Sequence, residues 1–344
     1  MKKGVLLVVI AVELLVITYL FNLNSEKSRL TSFATLIPNS TNTNEFPRNP
    51  INFIKGSGNP KISRELIPNF EQEYDGYVEK LDRTTHVKIN SDGFRDREFS
   101  VSKPLNTFRI IVLGDSFTFG QGLELNETFN KILETRLNSL NDGKVYEVMN
   151  FGVGGYNTLD EVEFFKEKGL KYKPDVVIIG FFHNDFEDNF EIKNRISLRM
   201  EQGNFNRTNI SKYEYETNLN ILMSQVVGDF DMEVFNNTTK FEYYWEKIVS
   251  QPLANLSDLS KFNNFTVVIA TLDYAELSLN QKKLLIDIAA KYGWHFIQMR
   301  DALAKYEYQK LVIGKLDHHY NYFAHELIAS KLYGYLINKN LLGN

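Results

Sequence analysis

The sequence predicts a three-layer α/β/α domain built on a central parallel five-stranded sheet, and two observations carry that expectation. The stretch Arg109–Gly114 contains Ile110-Ile111-Val112-Leu113, a run too continuously apolar for a strand with one wet face, so it reads as a strand buried on both faces. Further strand-like runs follow at Val145–Phe151, Pro174–Gly180, Phe265–Ala270 and His295–Ile297, with helix-patterned stretches between them. Strands alternating with helices at this spacing imply parallel strands joined by crossovers.

Taken in order, the first strand runs straight into Gly114-Asp115-Ser116, and residues 127–140 follow with Phe129, Ile132, Leu133 and Leu137 spaced for a helix. Ser116 therefore stands at the carboxyl end of a strand, the edge where open α/β sheets bind ligands. Given a base and an anion hole it would be a nucleophile; the plain alternative is a turn serine capping a helix. Helices are also expected over Thr158–Gly169, near Phe241–Phe262, and over 277–292 and 322–338. Residues 186–240 read as an insertion, with a hairpin around Ile196–Gly203 and a helix near Leu219–Val227, placed to roof that edge. Ahead of the first strand, Val87–Asp96 alternates and closes on an Asn-Ser-Asp-Gly turn. It reads as an added edge strand covering the core, in preference to a segment presenting Arg95 to a substrate.

Composition narrows the class. With 344 residues, 43% of them hydrophobic, the chain can bury one large core plus extra segments. A net charge of −4, with Lys and Arg scattered among Asp and Glu, speaks against a nucleic-acid partner. The absence of cysteine removes disulfides, thiolate metal sites and a cysteine nucleophile.

The first residues speak to location. Met1-Lys2-Lys3 precedes Gly4–Phe21, an apolar run of 18 residues broken only by Glu13. That length just spans a bilayer core, and the two lysines favour a cytoplasmic N-terminus with the rest of the chain outside. Glu13 would cost about 2.5–3.5 kcal/mol at mid-membrane, which the surrounding Leu, Val and Ile can offset. A single-pass anchor is preferred to a cleaved signal peptide, since no small-x-small site closely follows Phe21. Residues 22–60, rich in Asn, Ser, Thr and Pro, read as a flexible stalk, 61–104 as an extension packed on the core, and 105–344 as the main domain. Asn-x-Ser/Thr acceptors at Asn39, Asn126, Asn206, Asn209, Asn236, Asn237, Asn255 and Asn264 allow glycosylation if the organism provides it.

Four segments stand in a telling order: Gly114-Asp115-Ser116, Asn150-Phe151-Gly152-Val153-Gly154-Gly155, His183-Asn184-Asp185 and Asp317-His318-His319-Tyr320-Asn321. Together they resemble the four sequence blocks of the SGNH, or GDSL, hydrolase family, over roughly residues 105 to 340. The Asn-x-x-Gly-Phe-Arg segment ending at Arg95 is similar to one that precedes the serine block in part of that family. The resemblance implies a flavodoxin-like strand order 2-1-3-4-5. It also implies Ser116 as nucleophile, His319 as base and Asp317 as the residue that orients it. The oxyanion donors it implies are the backbone N–H groups of Ser116 and Gly155 and the side-chain amide of Asn184, with Gly154 a neighbouring candidate. A serine hydroxyl is a poor nucleophile unaided, so such a base and its acid partner are what the chemistry requires.

His318 is a local rival for the base, and Asp317, His318, His319 and His325 could instead be read as metal ligands, although His325 reads better as a structural histidine. Asp115 and Asp185 read as loop braces. Phe182, two positions before Asn184, stands where many members of the family carry glycine, so the pocket is expected to be bulkier there. No cofactor or metal is called for.

The leading reading is a membrane-anchored, extracytoplasmic serine esterase acting on an acylated small molecule or glycan, with O-acetyl groups of envelope glycans the favoured target. An O-acyltransferase, in which a sugar hydroxyl replaces water, and a non-catalytic glycan-binding protein are the alternatives. Intact Ser116, Asn184, Asp317 and His319 argue against the last, because binding alone needs none of that geometry.

Overall fold

The computed structural model describes residues 53–76, 81–202, 225–275, 277–315 and 317–343. The expected membrane anchor and most of the stalk lie outside the described residues. No helix among those described is long and apolar enough to cross a membrane.

The chain divides into two compact units. Of the described residues, 192–202 and 225–233 belong to the smaller unit and the others to the larger. In the smaller unit the helix that begins at Asn189 continues to Gln202, where a hairpin had been expected at Ile196–Gly203. Ionic contacts of Arg195 with Glu233 (2.7 Å) and Arg199 with Asp229 (2.5 Å) tie this helix to a second helical stretch. Arg195 and Arg199 lie four apart and so share one helix face, a pairing the strand reading could not anticipate. The helix expected near Leu219–Val227 falls largely outside the described residues; its end at 225–227 is helical.

In the larger unit, strands β1 (Ile54–Lys55) and β2 (Glu65–Leu66) form one small antiparallel pair, and β3 (Glu71–Tyr74) and β4 (Thr85–Lys88) form another. The central sheet contains β5 (Thr107–Gly114), β6 (Val145–Gly152), β7 (Val176–Phe181), β8 (Thr266–Thr271) and β9 (His295–Gln298). Its order is β6-β5-β7-β8-β9 with every pair parallel, which is the flavodoxin-like order. Ile110, Ile111, Val112 and Leu113 of β5 are fully buried between β6 and β7. Each such side chain contributes about 1.5–3 kcal/mol of hydrophobic stabilisation, so the most apolar strand takes a central place. Ile110 and Val112 pack with Leu133 and Leu137 of the helix Phe129–Asn138 and with Ile328 and Leu332 of the helix Tyr322–Asn338. The helix expected over Thr158–Gly169 is α-helical only to Phe164 and widens to a π-turn over Phe165–Gly169.

The expected edge strand around Val87–Asp96 does not join the central sheet; its strand part, β4, pairs with β3. The edge at β6 is closed by side chains instead. Asn138 accepts from the N–H of Tyr146 and donates to its carbonyl, at 3.0 and 2.9 Å. Glu134 takes the N–H of Val148 (2.7 Å), Lys131 its carbonyl (2.5 Å), and Asp96 the N–H of Asn150 (2.9 Å). With Phe94 stacked on Phe151 at 4.0 Å, residues 94–96 cover the edge without adding a strand.

Candidate active site

Three glycines in register make room for the serine. Gly114 ends β5 and pairs with Gly152 of β6 and Gly180 of β7. A Cβ at Gly114 or Gly180 would stand 2.0 or 2.5 Å from Oγ1 of Thr118, and one at Gly152 would stand 2.2 Å from the backbone nitrogen of Phe119. The helical turn Ser116–Phe119 therefore sits directly on the ends of three strands. Asp115 caps the turn by accepting from the N–H of Phe117 (2.9 Å), and Gly120 closes it in the left-handed conformation, φ +80°.

Arg95, buried beneath this turn, is a brace and not a surface group. Its guanidinium donates to the carbonyls of Phe119 (3.0 Å), Gly120 (2.7 Å) and Leu123. Burial pushes Arg95 down to about 10, so it remains a cation at neutral pH. Asn130 adds a bond to the Thr118 carbonyl at 2.9 Å. These partners occupy carbonyls that the short turn leaves unpaired.

Against Ser116 the C-terminal loop places His319. Nε2 lies 2.7 Å from Oγ of Ser116, and Nδ1 lies 2.6 Å from Oδ1 of the buried Asp317. Burial alone would raise Asp317, but the facing His319 and hydrogen bonds from its ring and backbone outweigh it and hold the carboxyl below the ordinary Asp range. An ionised carboxylate only accepts, so Nδ1 carries the imidazole proton and Nε2 is left to accept from the Ser116 hydroxyl. The loop is held by its own backbone: Ile313 N–H donates to His319 (2.9 Å), Gly314 N–H to Asp317 (3.1 Å), and Val312 bridges Tyr320. Asn321 donates to the carbonyls of Lys310 and Val312 and caps the last helix through the N–H of Ala324.

The other sequence-derived residues flank this pair. Gly154 faces Ser116, since a Cβ there would stand 3.9 Å from the serine Cβ. Gly155 follows in the left-handed conformation, φ +74°, where glycine is favoured, and its carbonyl accepts from Asn189 at 2.8 Å. Asn184 lies on a 3-10 turn, His183–Phe186, after β7, with its amide beside the Asp115 carboxyl. Phe182 stacks on Phe117 at 3.9 Å, and Phe117 in turn lies 5.1 Å from the His319 ring, so the expected bulk is present. The His318 ring meets the Tyr308 ring at right angles, with centroids 5.6 Å apart. His325 stands apart: its Nδ1 accepts from the N–H of Phe129 (2.9 Å), and burial pushes it down to about 3, which leaves it a neutral structural group and dissolves the four-residue metal reading.

Asp115 and Asp185, read from sequence as loop braces, accept from the N–H groups of Phe117 and Phe182, but sequence reasoning missed Glu161, which joins them in a buried acid group beneath the serine turn. Asp115 is raised to about 6, first by burial, with the Phe117 N–H, His319 and Asn184 opposing. Glu161 and Asp185 are raised well above their ordinary values, chiefly by burial and then by each other's neighbourhood of acids. Both carboxyl oxygens of Glu161 lack a partner among the described residues. Burial therefore disfavours negative charge on Glu161 and Asp185 close to the serine turn. Glu161 reads in sequence as an ordinary helix-face glutamate, so no local signal marks it. Two surface concavities, at Asn106–Phe108 with Lys144 and at Leu336–Gly343, lie away from Ser116, near the amino-terminal end of β5.

The sequence model of the GDSL-like Lipase/Acylhydrolase family matches residues 112–326. Solved structures with a similar trace include TesA, at 15% identity and a TM-score of 0.42, covering 68% of this chain and 99% of that one. An acetyl xylan esterase, AlAXEase, is 15% identical with a TM-score of 0.39, covering 67% and 100%. The psychrotrophic esterase EstA from Pseudoalteromonas sp. is 17% identical with a TM-score of 0.40, covering 69% and 99%. No curated protein matches the chain.

Proposed function

The chain belongs to the GDSL-like Lipase/Acylhydrolase family, serine hydrolases acting on ester bonds, and on that premise we propose that it removes short acyl groups through an acyl-enzyme on Ser116. The observation that carries the reading is the hydrogen-bonded line from Ser116 Oγ through His319 to Asp317, at 2.7 and 2.6 Å. In this reading Oγ attacks the ester carbonyl as His319 Nε2 takes its proton. Collapse of the tetrahedral adduct then expels the alcohol, which receives that proton from His319. Water, deprotonated by the same nitrogen, releases the acid and frees Ser116. Asp317 stabilises the imidazolium. The N–H groups of Ser116 and Gly155 and the Asn184 amide receive the oxyanion. The first-turn position of Ser116 supports this, because a helical turn leaves its first N–H groups without internal acceptors.

The natural substrate in this proposal is an O-acetylated envelope glycan, met outside the cytoplasm by a domain anchored through residues 4–21. Support for the short acyl group is the Phe117–Phe182 stack beside Ser116, which takes up space a longer chain would need. Support for the location is the apolar run behind two lysines.

The test uses the purified full chain with an activated acetyl ester, with and without candidate oligosaccharides. We expect acetate as the main product and a fluorophosphonate adduct on Ser116 that is absent from Ser116→Ala. An adduct on another residue of active protein would overturn the assignment. Acetylated sugar in excess, with negligible acetate when no acceptor is present, would make the chain an acyltransferase.

A further inference from the structure

Arg64 precedes β2, in the part of the chain that lies before the family match, and its guanidinium sits over Gly155. A Cβ built on Gly155 would stand 2.7 Å from Nη1 and 3.3 Å from Cζ of Arg64. The backbone beneath this side chain is pinned on both sides. Ser63 donates to Asp160 through its N–H (2.6 Å) and its hydroxyl (2.9 Å), and the Tyr156 hydroxyl donates to the Arg64 carbonyl at 2.8 Å. Tyr156 and Asp160 belong to the same segment as Gly155, so the arginine and the glycine are held as one body.

Arg64 is half-buried, and its guanidinium has no hydrogen bond or ion pair among the described residues. Each nearby acid is committed elsewhere. Asp160 is filled by Ser63 and by the Asn189 amide at 2.7 Å. Glu65 takes the Ser57 hydroxyl (2.5 Å) and stands near Lys55 and Lys168, while Glu167 takes the Asn59 amide at 2.8 Å. Five N–H donors beside a reaction centre, with no internal acceptor, match a planar anion of the substrate.

We propose that Arg64 selects esters carrying a second, anionic group, a carboxylate or a phosphate, close to the scissile carbonyl. The proposal rests on the esterase reading above, with Gly155 at the oxyanion. The guanidinium reaches past the glycine to grip the anion and so orients the ester for attack by Ser116. Because the positive charge stands beside the carbonyl and not on it, the gain falls on binding more than on the chemical step.

The experiment compares 4-nitrophenyl acetate with the same ester bearing a ring carboxylate, and separately a ring phosphate, on the purified full chain. The anionic-to-neutral ratio of kcat/KM in wild type is divided by that ratio in Arg64→Gln, which cancels the intrinsic reactivity of the esters. We expect a quotient of about tenfold or more at low salt, carried mainly by KM, shrinking as salt rises and partly restored in Arg64→Lys. Whichever of the two anions gives the larger quotient identifies the chemistry of the natural group. A quotient near one for both anions, with the neutral ester still hydrolysed, would overturn the proposal and leave the esterase reading standing. Turnover of none of the esters would overturn both.

Discussion

The turn that carries Ser116 is held from a distance, by Arg95 on three carbonyls and by Asn130 on a fourth, whereas the loop that carries His319 is held by its own neighbours, Ile313, Gly314 and Asn321. The two regions also treat charge in opposite ways. Beneath the serine, burial raises Asp115, Glu161 and Asp185; beside the histidine, hydrogen bonds and the facing imidazole lower Asp317 despite its burial. The serine turn is thus fixed by side chains from distant parts of the chain, whereas the His319 imidazole faces one carboxylate, Asp317, fixed in its own loop. Damage to the first should therefore show as lost stability and damage to the second as lost turnover.

If the proposed roles hold, Asp317→Asn should have the largest effect, about a 10⁴-fold loss of kcat, as the equivalent change produces in Ser-His-Asp hydrolases. The amide can donate to Nδ1 and hold the wrong tautomer, while the loop keeps its own backbone bonds. Steady-state kinetics checks this, with circular dichroism to show an intact fold. A loss below tenfold would mean that His319 does not need Asp317 to orient it.

Asn184→Ala should cost about 10²–10³ in kcat with KM changed far less, because an oxyanion donor acts on the transition state. A strong rise in KM at constant kcat would instead make Asn184 a binding residue.

Arg95→Met keeps much of the volume but strips the Leu123 carbonyl of its donor and leaves those of Phe119 and Gly120 with one longer bond each, from the Asn150 amide (3.3 Å) and the Leu123 N–H (3.2 Å), and should lower unfolding free energy by about 2–4 kcal/mol. Urea titration gives that number directly. A change under about 1 kcal/mol would show that the serine turn does not depend on the distant brace.

The smallest effect is the pH response of Glu161→Gln. An acid whose folded pKa lies above its unfolded value keeps its proton when the unfolded chain has released it, so stability falls as pH rises above the ordinary carboxyl range. Asp317 has the opposite sign: its contribution is present above the ordinary Asp value and is lost as pH falls through its lowered one. Thermal melts from about pH 5 to about pH 8 should show Glu161→Gln flatter than wild type and relatively better at the higher pH. An unchanged slope would mean that Glu161 is already ionised in the folded protein.

Much of the site was legible because its determinants are local. Gly114-Asp115-Ser116 ends an apolar run, and an Asp two residues before a His meets that imidazole from one loop. Central strands bury both faces, so β5, β7 and β8 announce themselves by apolar runs alone. The loop motif around His319 likewise contains its own acid and, in Asn321, its own helix cap. What failed was read from the weakest local signal: Ile196–Gly203 alternates too briefly to separate strand from helix, and β4 was assigned to the wrong sheet because alternation does not say which strand is the partner.

The sequence by itself determined the layer architecture, the order of the four blocks and the identities of Ser116, Asn184, Asp317 and His319 as candidates, since each depends on residue type and short spacing. Only the tertiary structure decided what lies around them. It set Arg95 under the serine turn, Arg64 over Gly155, and Glu161 among buried acids with its carboxyl oxygens unpaired among the described residues. Those roles depend on burial and on contacts between residues far apart in the chain, such as Arg95 with Gly120 and Arg64 with Gly155, and side-chain type alone does not encode which distant backbone a guanidinium will meet.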